Sequence, residues 1–198
     1  MDHFIRTWFV QDLTVCDRII EYHRQSNRKE LGNVFDDASQ TLIQDKLIKD
    51  SVDVMLDINT PLRDIYIDEL TQIAKKYIEI FPYCSWSTPW GLVEKINIQQ
   101  YQPGGGFYQW HCERSNGQFP ATARHLVFMT YLNDVTDQGE TEFFHQQIKI
   151  QPQKGLTVIW PADWTYTHRG ITSPTQEKFI VTGWLSFLDV IQDQPVKI

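Results

Sequence analysis

Cysteine is scarce. The 198 residues contain three, Cys16, Cys84 and Cys112, odd in number and never spaced as C-x-x-C. This argues against a disulfide framework and a structural zinc site, and points to a reducing compartment. No apolar run approaches the ~18 residues a membrane-spanning helix needs, so no membrane association is expected. The opening MDHFIRTWFVQDL has no basic stretch followed by a long apolar one, so no secretory signal is read and a cytoplasmic location is expected. Positive charge is in deficit. Lys and Arg total 18 against 25 Asp and Glu, a formal net charge of −7, which argues against a chain built to grip phosphate backbones. Internal repeats and Pro/Ser-rich linkers are also lacking. Hydrophobic residues are plentiful at 41%, with 13% aromatics, which excludes a disordered chain and suits one domain over 1–198.

Helical signals lie in the first half, read as a supporting and lid region over 1–91. FIRTWFV opens as a short strand. Thr14, with Asp17 three residues on, reads as the cap of a helix holding Val15, Ile19, Ile20 and Tyr22. Residues 26–46 are polar and aperiodic and read as loop, with a short helix near Leu42 as the exception. SVDVMLDI alternates as a strand, Val52, Val54 and Leu56 on one side and Asp53, Met55 and Asp57 on the other. Thr60 and Pro61 then open a helix in which Leu62, Ile65, Leu70, Ile73, Tyr77 and Ile78 recur at helical spacing, and Pro82 ends it. Over 92–188 short strands follow one another: LVEKINIQQY, FYQWHCE, RHLVFMTYLN, TEFFH, IKI, LTVIW and KFIVTGWLSF, punctuated by Gly, Pro, Asn and Asp. The expected class is mainly β with flanking helices (α+β), the strands closing as a sandwich or barrel.

His111 and Glu113 are two residues apart. In a strand they project from one face while Cys112 points away, and an imidazole beside a carboxylate can hold adjacent positions on a metal ion. Two polar residues on a solvated strand face would look the same. A third ligand has five candidates, His3, His23, His125, His145 and His168. His125 reads as a satisfied, partly buried strand-start histidine and His145 as solvated beside a turn. His3 and His23 default to surface or helix-flank positions. Two histidines and one carboxylate leave positions open on iron(II) for substrate and oxygen.

At this point the sequence resembles the Fe(II)/2-oxoglutarate-dependent dioxygenases, in particular their prolyl 4-hydroxylase-like branch. The likeness runs from about Ile96 to Phe187: Tyr101 and the glycine cluster ahead of His111, then YLN at 131–133, GETEFF at 139–144, QKGLTVIWP at 153–161, His168, Lys178 and Trp184. It implies a double-stranded β-helix, or jelly-roll, core. It implies a metal site of His111, Glu113 and His168, and Lys178, ten residues after His168, as the cation for the far carboxylate of 2-oxoglutarate. Tyr131, Tyr101, Thr141 and Trp184 match other positions of the cosubstrate pocket. Tyr108 is placed near the substrate, as is Arg114, which begins a candidate mobile loop over 114–118; 27–50 is a second such loop. Alternation agrees, since Lys178, Ile180, Thr182 and Trp184 share one face and Phe179, Val181, Leu185 and Phe187 the other.

The resemblance further implies hydroxylation of a prolyl residue in a peptide or protein, using Fe(II), 2-oxoglutarate and O2, with ascorbate as an accessory. A cytoplasmic microbial enzyme, or a viral one in its host's cytoplasm, acting as monomer or homodimer, fits this reading. A free amino acid or other small molecule is the alternative substrate. One position departs from the pattern: the branch has Asp as the carboxylate ligand, and this chain has Glu113. The extra methylene lets the carboxylate reach further or block an open position, so a non-catalytic metal- or 2-oxoglutarate-binding module is the rival from another class. A plain cupin-like barrel lacks its H-x-H signature here.

Overall fold

In the computed structural model, which describes residues 3–188 apart from 37, 40, 87 and 115–117, two helices pack on the back of a large sheet. The chain runs β1 (Arg6–Phe9), α1 (Thr14–Gln25), β2 (Glu30–Leu31), β3 (Val34–Asp36), β4 (Thr41–Ile43), β5 (Val52–Met55) and α2 (Pro61–Ile80). Then follow β6 (Trp90–Leu92), β7 (Asn97–Tyr101), β8 (Arg124–Tyr131), β9 (Thr141–Phe143), β10 (Ile148–Ile150), β11 (Leu156–Pro161), β12 (His168–Gly170) and β13 (Lys178–Phe187). The large sheet has the order β1-β11-β8-β13-β7-β5-β2, with β6 also on β13. The small sheet is β10-β9-β12. Every ladder among the described residues is antiparallel. The two sheets are the walls of a double-stranded β-helix, and the expected mainly-β class with flanking helices is what is found.

Each helix forms for local reasons. Thr60 accepts the Leu62 N–H and Pro61 takes the first turn, so α2 starts as expected; Pro82 opens a separate 3-10 turn just after its end. Its buried stripe of Leu62, Tyr66, Leu70, Ile73 and Tyr77 follows the helical repeat. Burial of each such side chain stabilises the fold by about 1.5–3 kcal/mol. At α1 the expected cap is displaced. Thr14 is the first helical residue, and Asp12 Oδ1 accepts both its N–H (2.9 Å) and its hydroxyl (2.7 Å).

The stripes of α1 and α2 meet Ile98, Leu126, Phe128, Phe179, Val181 and Leu185 on the back of the sheet. The opposite faces of the same strands carry Tyr101, Val127, Met129, Tyr131 and Ile180 into a second core that reaches Phe143 of the small sheet. Both faces of β8 and β13 are therefore covered, which is why their sequences are apolar almost throughout. Gly183 is demanded by this packing, since a Cβ there would lie 2.5 Å from the Phe128 ring.

Several expectations are corrected. Residues 26–46, read as loop with a helix near Leu42, hold β2 and the β3–β4 hairpin, and Leu42 pairs with Phe35. The continuous strand expected over 92–101 is broken into β6 and β7. FYQWHCE forms no strand, only isolated bridges at Phe107 and His111. The WTYTHRG segment around His168, strand-like in its sequence, is a 3-10 turn followed by β12. His23 is fully buried rather than superficial, its Nε2 2.9 Å from the Val52 carbonyl.

Candidate active site

Among the described residues, one group of histidine and acidic side chains is spaced to hold a metal ion. It is His111, Glu113 and His168, whose ligand atoms lie within 4.8 Å of one another. The strand argument for His111 and Glu113 does not apply, because their segment is pinned otherwise. His111 and His168 exchange backbone hydrogen bonds of 3.0 and 2.9 Å, and the Glu113 and Arg114 N–H groups both donate to the Ala162 carbonyl. One bridge thus brings a loop histidine beside the first residue of β12.

The donor set suits a divalent ion. His111 Nδ1 lies 2.9 Å from the Gln109 carbonyl and His168 Nδ1 3.0 Å from the Tyr166 carbonyl. A carbonyl only accepts, so each Nδ1 carries the proton and each Nε2 offers a lone pair. Both Nε2 atoms face Glu113 Oε1, at 3.7 Å for His111 and 3.5 Å for His168. Burial, with the neighbouring His168, lowers His111 to about 4 and keeps it neutral. Burial alone would raise the Glu113 carboxyl, but its polar surroundings, the two histidines and the Arg124 cation, outweigh burial and hold the group ionised. Neutral imidazoles and a carboxylate are the forms metal binding requires.

The group opens on a cavity of about 830 Å³ between the two sheets, within the size range of small-molecule sites. Lys178 opens β13 on the cavity side, only 4% exposed, and Ile180, Thr182 and Trp184 follow on the same face, as alternation requires. Lys178 Nζ donates to the Gly139 carbonyl at 2.8 Å and the Ile171 carbonyl at 3.4 Å, and lies 5.1 Å from the Tyr101 ring centroid. Burial lowers its pKa to about 8, against the opposing charge of Glu140. Among the described residues the third ammonium proton has no acceptor, an arrangement suited to an anion.

Tyr131 and Thr141 sit on the same wall. The Tyr131 hydroxyl donates to Thr141 Oγ1 at 2.6 Å, and burial keeps it a phenol. Among the described residues the Thr141 hydroxyl has as its acceptor only Met129 Sδ, at 3.9 Å, and so it retains a donor for a ligand. Tyr101 also lines the cavity, its hydroxyl donating to Gln99 Oε1 at 2.6 Å. Trp184 lines it too, but its indole N–H is committed to Glu113 Oε2 at 2.9 Å.

Tyr108 and Arg114 are not brought to the cavity. The Tyr108 hydroxyl bonds the Gly104 carbonyl, and Phe107 lines the wall instead. Arg114 fastens the Arg124 carbonyl and Asp163. Of its loop, residues 115–117 lie outside the described residues. His125 Nε2 is 2.8 Å from the Cys84 carbonyl, the satisfied histidine expected, and His145 is exposed.

Sequence reasoning missed two groups. A buried ion pair, Lys49 Nζ to Asp53 Oδ2 at 2.8 Å, lines the cavity with Asn97, whose amide also donates to Asp53. Asp53 is visible in the sequence as one of the polar side of β5, but alternation alone gives it no partner. The second group, Arg124 with Glu94, joins residues too far apart for any motif.

Residues 96–186 match the family model of the 2OG-Fe(II) oxygenase superfamily. That segment, a little under half of the chain, contains the whole metal-ligand group and is what the chain shares with this superfamily. The fold is shared with prolyl 4-hydroxylases. A prolyl-4-hydroxylase from Pseudomonas putida aligns at TM-score 0.67 and 15% identity, covering 94% of each chain. The viral collagen prolyl hydroxylase of Paramecium Bursaria Chlorella virus-1 aligns at 0.64 and 16%, covering 93% of this chain and 97% of that one. A Trichoplax adhaerens prolyl hydroxylase, in complex with a hypoxia inducible factor oxygen degradation domain peptide, aligns at 0.72 and 13%, covering 97% and 88%. No curated protein matches the sequence.

Proposed function

We propose that the protein is an Fe(II)- and 2-oxoglutarate-dependent hydroxylase acting on a prolyl residue of a peptide or protein. The observation that carries this is one cavity holding both the His111–Glu113–His168 group and, on its wall, a buried ammonium with an unspent proton. His111 Nε2, Glu113 and His168 Nε2 would hold the iron. Lys178, with the Thr141 hydroxyl, would take the far carboxylate of 2-oxoglutarate, and burial makes that charge-assisted contact strong. Iron(II) held there would supply the oxidation chemistry: O2 is the oxidant, one of its oxygen atoms entering succinate as 2-oxoglutarate loses CO2 and the other entering a substrate C–H bond. The protein orients the reactants and excludes water, and the apolar walls of Met129, Trp160 and Ile180 serve that end.

The prolyl substrate rests on the likeness to the three hydroxylases above. The charged wall of Lys49 and Asp53 favours a second reading, a free amino acid whose own charges meet that pair. One assay separates them. The iron-loaded protein is supplied with 2-oxoglutarate and either a library of proline-containing peptides or a panel of free amino acids. Succinate release and a mass gain of one oxygen are then followed. Oxygen added to peptidyl proline supports the first reading and oxygen added only to a free amino acid the second. Neither product in any mixture leaves a binding module.

A further inference from the structure

Glu113 carries one more methylene than the aspartate its branch uses, and a longer carboxylate has one more rotatable bond with which to miss its mark. The structure shows what restrains it. Oε1 faces the two histidines, while Oε2 accepts the Trp184 indole N–H at 2.9 Å and lies 3.6 Å from Arg124 Nη1. Arg124 also holds the Glu113 backbone, Nη1 donating to its carbonyl at 2.9 Å. The guanidinium carbon lies over the Trp184 ring, 3.5 Å from its centroid. Its other edge is fixed by Glu94, Nε to Oε1 at 2.8 Å and Nη2 to Oε2 at 2.6 Å. The Arg124, Glu94 and Glu113 side chains are only 16%, 13% and 15% exposed, so these contacts are sheltered from water.

We propose that Trp184 and Arg124 are positioning residues that clamp Glu113 Oε2, so that the longer carboxylate presents Oε1 alone to the metal. The clamp turns the departure from aspartate into a working ligand. It rests on the metal site proposed above, and it makes an opposite prediction to a site disabled by the extra methylene. Glu113→Asp withdraws the carboxylate from the indole and weakens metal binding instead of improving it.

The test is a double-mutant cycle on Mn(II) affinity, read by the electron paramagnetic resonance of the free ion without 2-oxoglutarate, with circular dichroism melts to confirm folding. Trp184→Phe removes a hydrogen bond to a charged group and is expected to raise the Mn(II) dissociation constant at least tenfold. Glu113→Asp is expected to raise it as well. In the Glu113→Asp background, Trp184→Phe is expected to add less than twofold, since the shorter carboxylate has already lost the indole. Arg124→Lys, which keeps the charge but cannot hold Glu94 and Glu113 together, carries the test should Trp184→Phe fail to fold, with the same order of loss expected. Wild-type affinity in the folded single variants, tighter binding by Glu113→Asp, or equal losses from Trp184→Phe in both backgrounds would overturn the clamp while leaving the metal site standing. A wild-type protein that binds no Mn(II) would remove the metal site and the clamp with it.

Discussion

Replacing Lys178 by Met tests the cosubstrate assignment with little disturbance elsewhere. Methionine is of similar length and apolar, so the space is filled. The change leaves the Gly139 carbonyl without its 2.8 Å donor, a loss of about 1–3 kcal/mol. It also relieves the burial of a cation whose pKa burial has already lowered to about 8, which offsets part of that loss. A net change near 1 kcal/mol in a chain of this size moves the melting temperature by about 2–4 °C. Ligand binding responds far more. Removing one partner of a buried, hydrogen-bonded charge pair costs about 2–5 kcal/mol, which raises the dissociation constant of 2-oxoglutarate roughly thirty-fold to several thousand-fold. Anaerobic titration calorimetry of Mn(II)-loaded wild type and variant reads this directly. A dissociation constant within twofold of wild type, in a variant that melts normally, would refute the role given to Lys178.

Two further predictions concern the same cavity. Because Lys178 loses its proton near pH 8 in the free protein, affinity for anionic 2-oxoglutarate is expected to be flat below that pH and to fall above it, approaching tenfold per pH unit. Lys178→Arg, charged throughout, should flatten that fall in the same calorimetric series. Asp53→Ala strands the Lys49 cation, which is 5% exposed, and is expected to lose about 3–5 kcal/mol in urea unfolding. Adding Lys49→Met to Asp53→Ala should restore much of that loss, and no recovery would contradict the pairing.

The β13 alternation was readable in advance because both its faces are defined by what they meet. Lys178, Ile180, Thr182 and Trp184 turn to the cavity, while Phe179, Val181 and Leu185 meet the helices. The same holds for α2, whose cap and stripe are local signals. The β3–β4 hairpin was hidden because it is lightly covered. Leu42 is 68% exposed, so no alternation marks the strand. His111 and Glu113 were found as a pair by a strand argument that does not describe their loop; a tertiary bridge to His168 brings them together instead. Arg124 and Glu94 carried no signal at all, since a clamp assembled from separate segments has no spacing to detect. The parting of Tyr108 and Arg114 from the cavity was equally invisible, because each is turned away by a backbone carbonyl that only the fold supplies.

The most direct test of the central claim needs no substrate. The metal-free protein is mixed anaerobically with Fe(II) and then 2-oxoglutarate, and the visible charge-transfer absorption of a chelated keto acid is followed. His168→Ala and Lys178→Ala variants run alongside. The account predicts a band in wild type, no band in His168→Ala, and a band in Lys178→Ala that appears only at much higher 2-oxoglutarate. Bound iron with no band in the wild-type protein would contradict it.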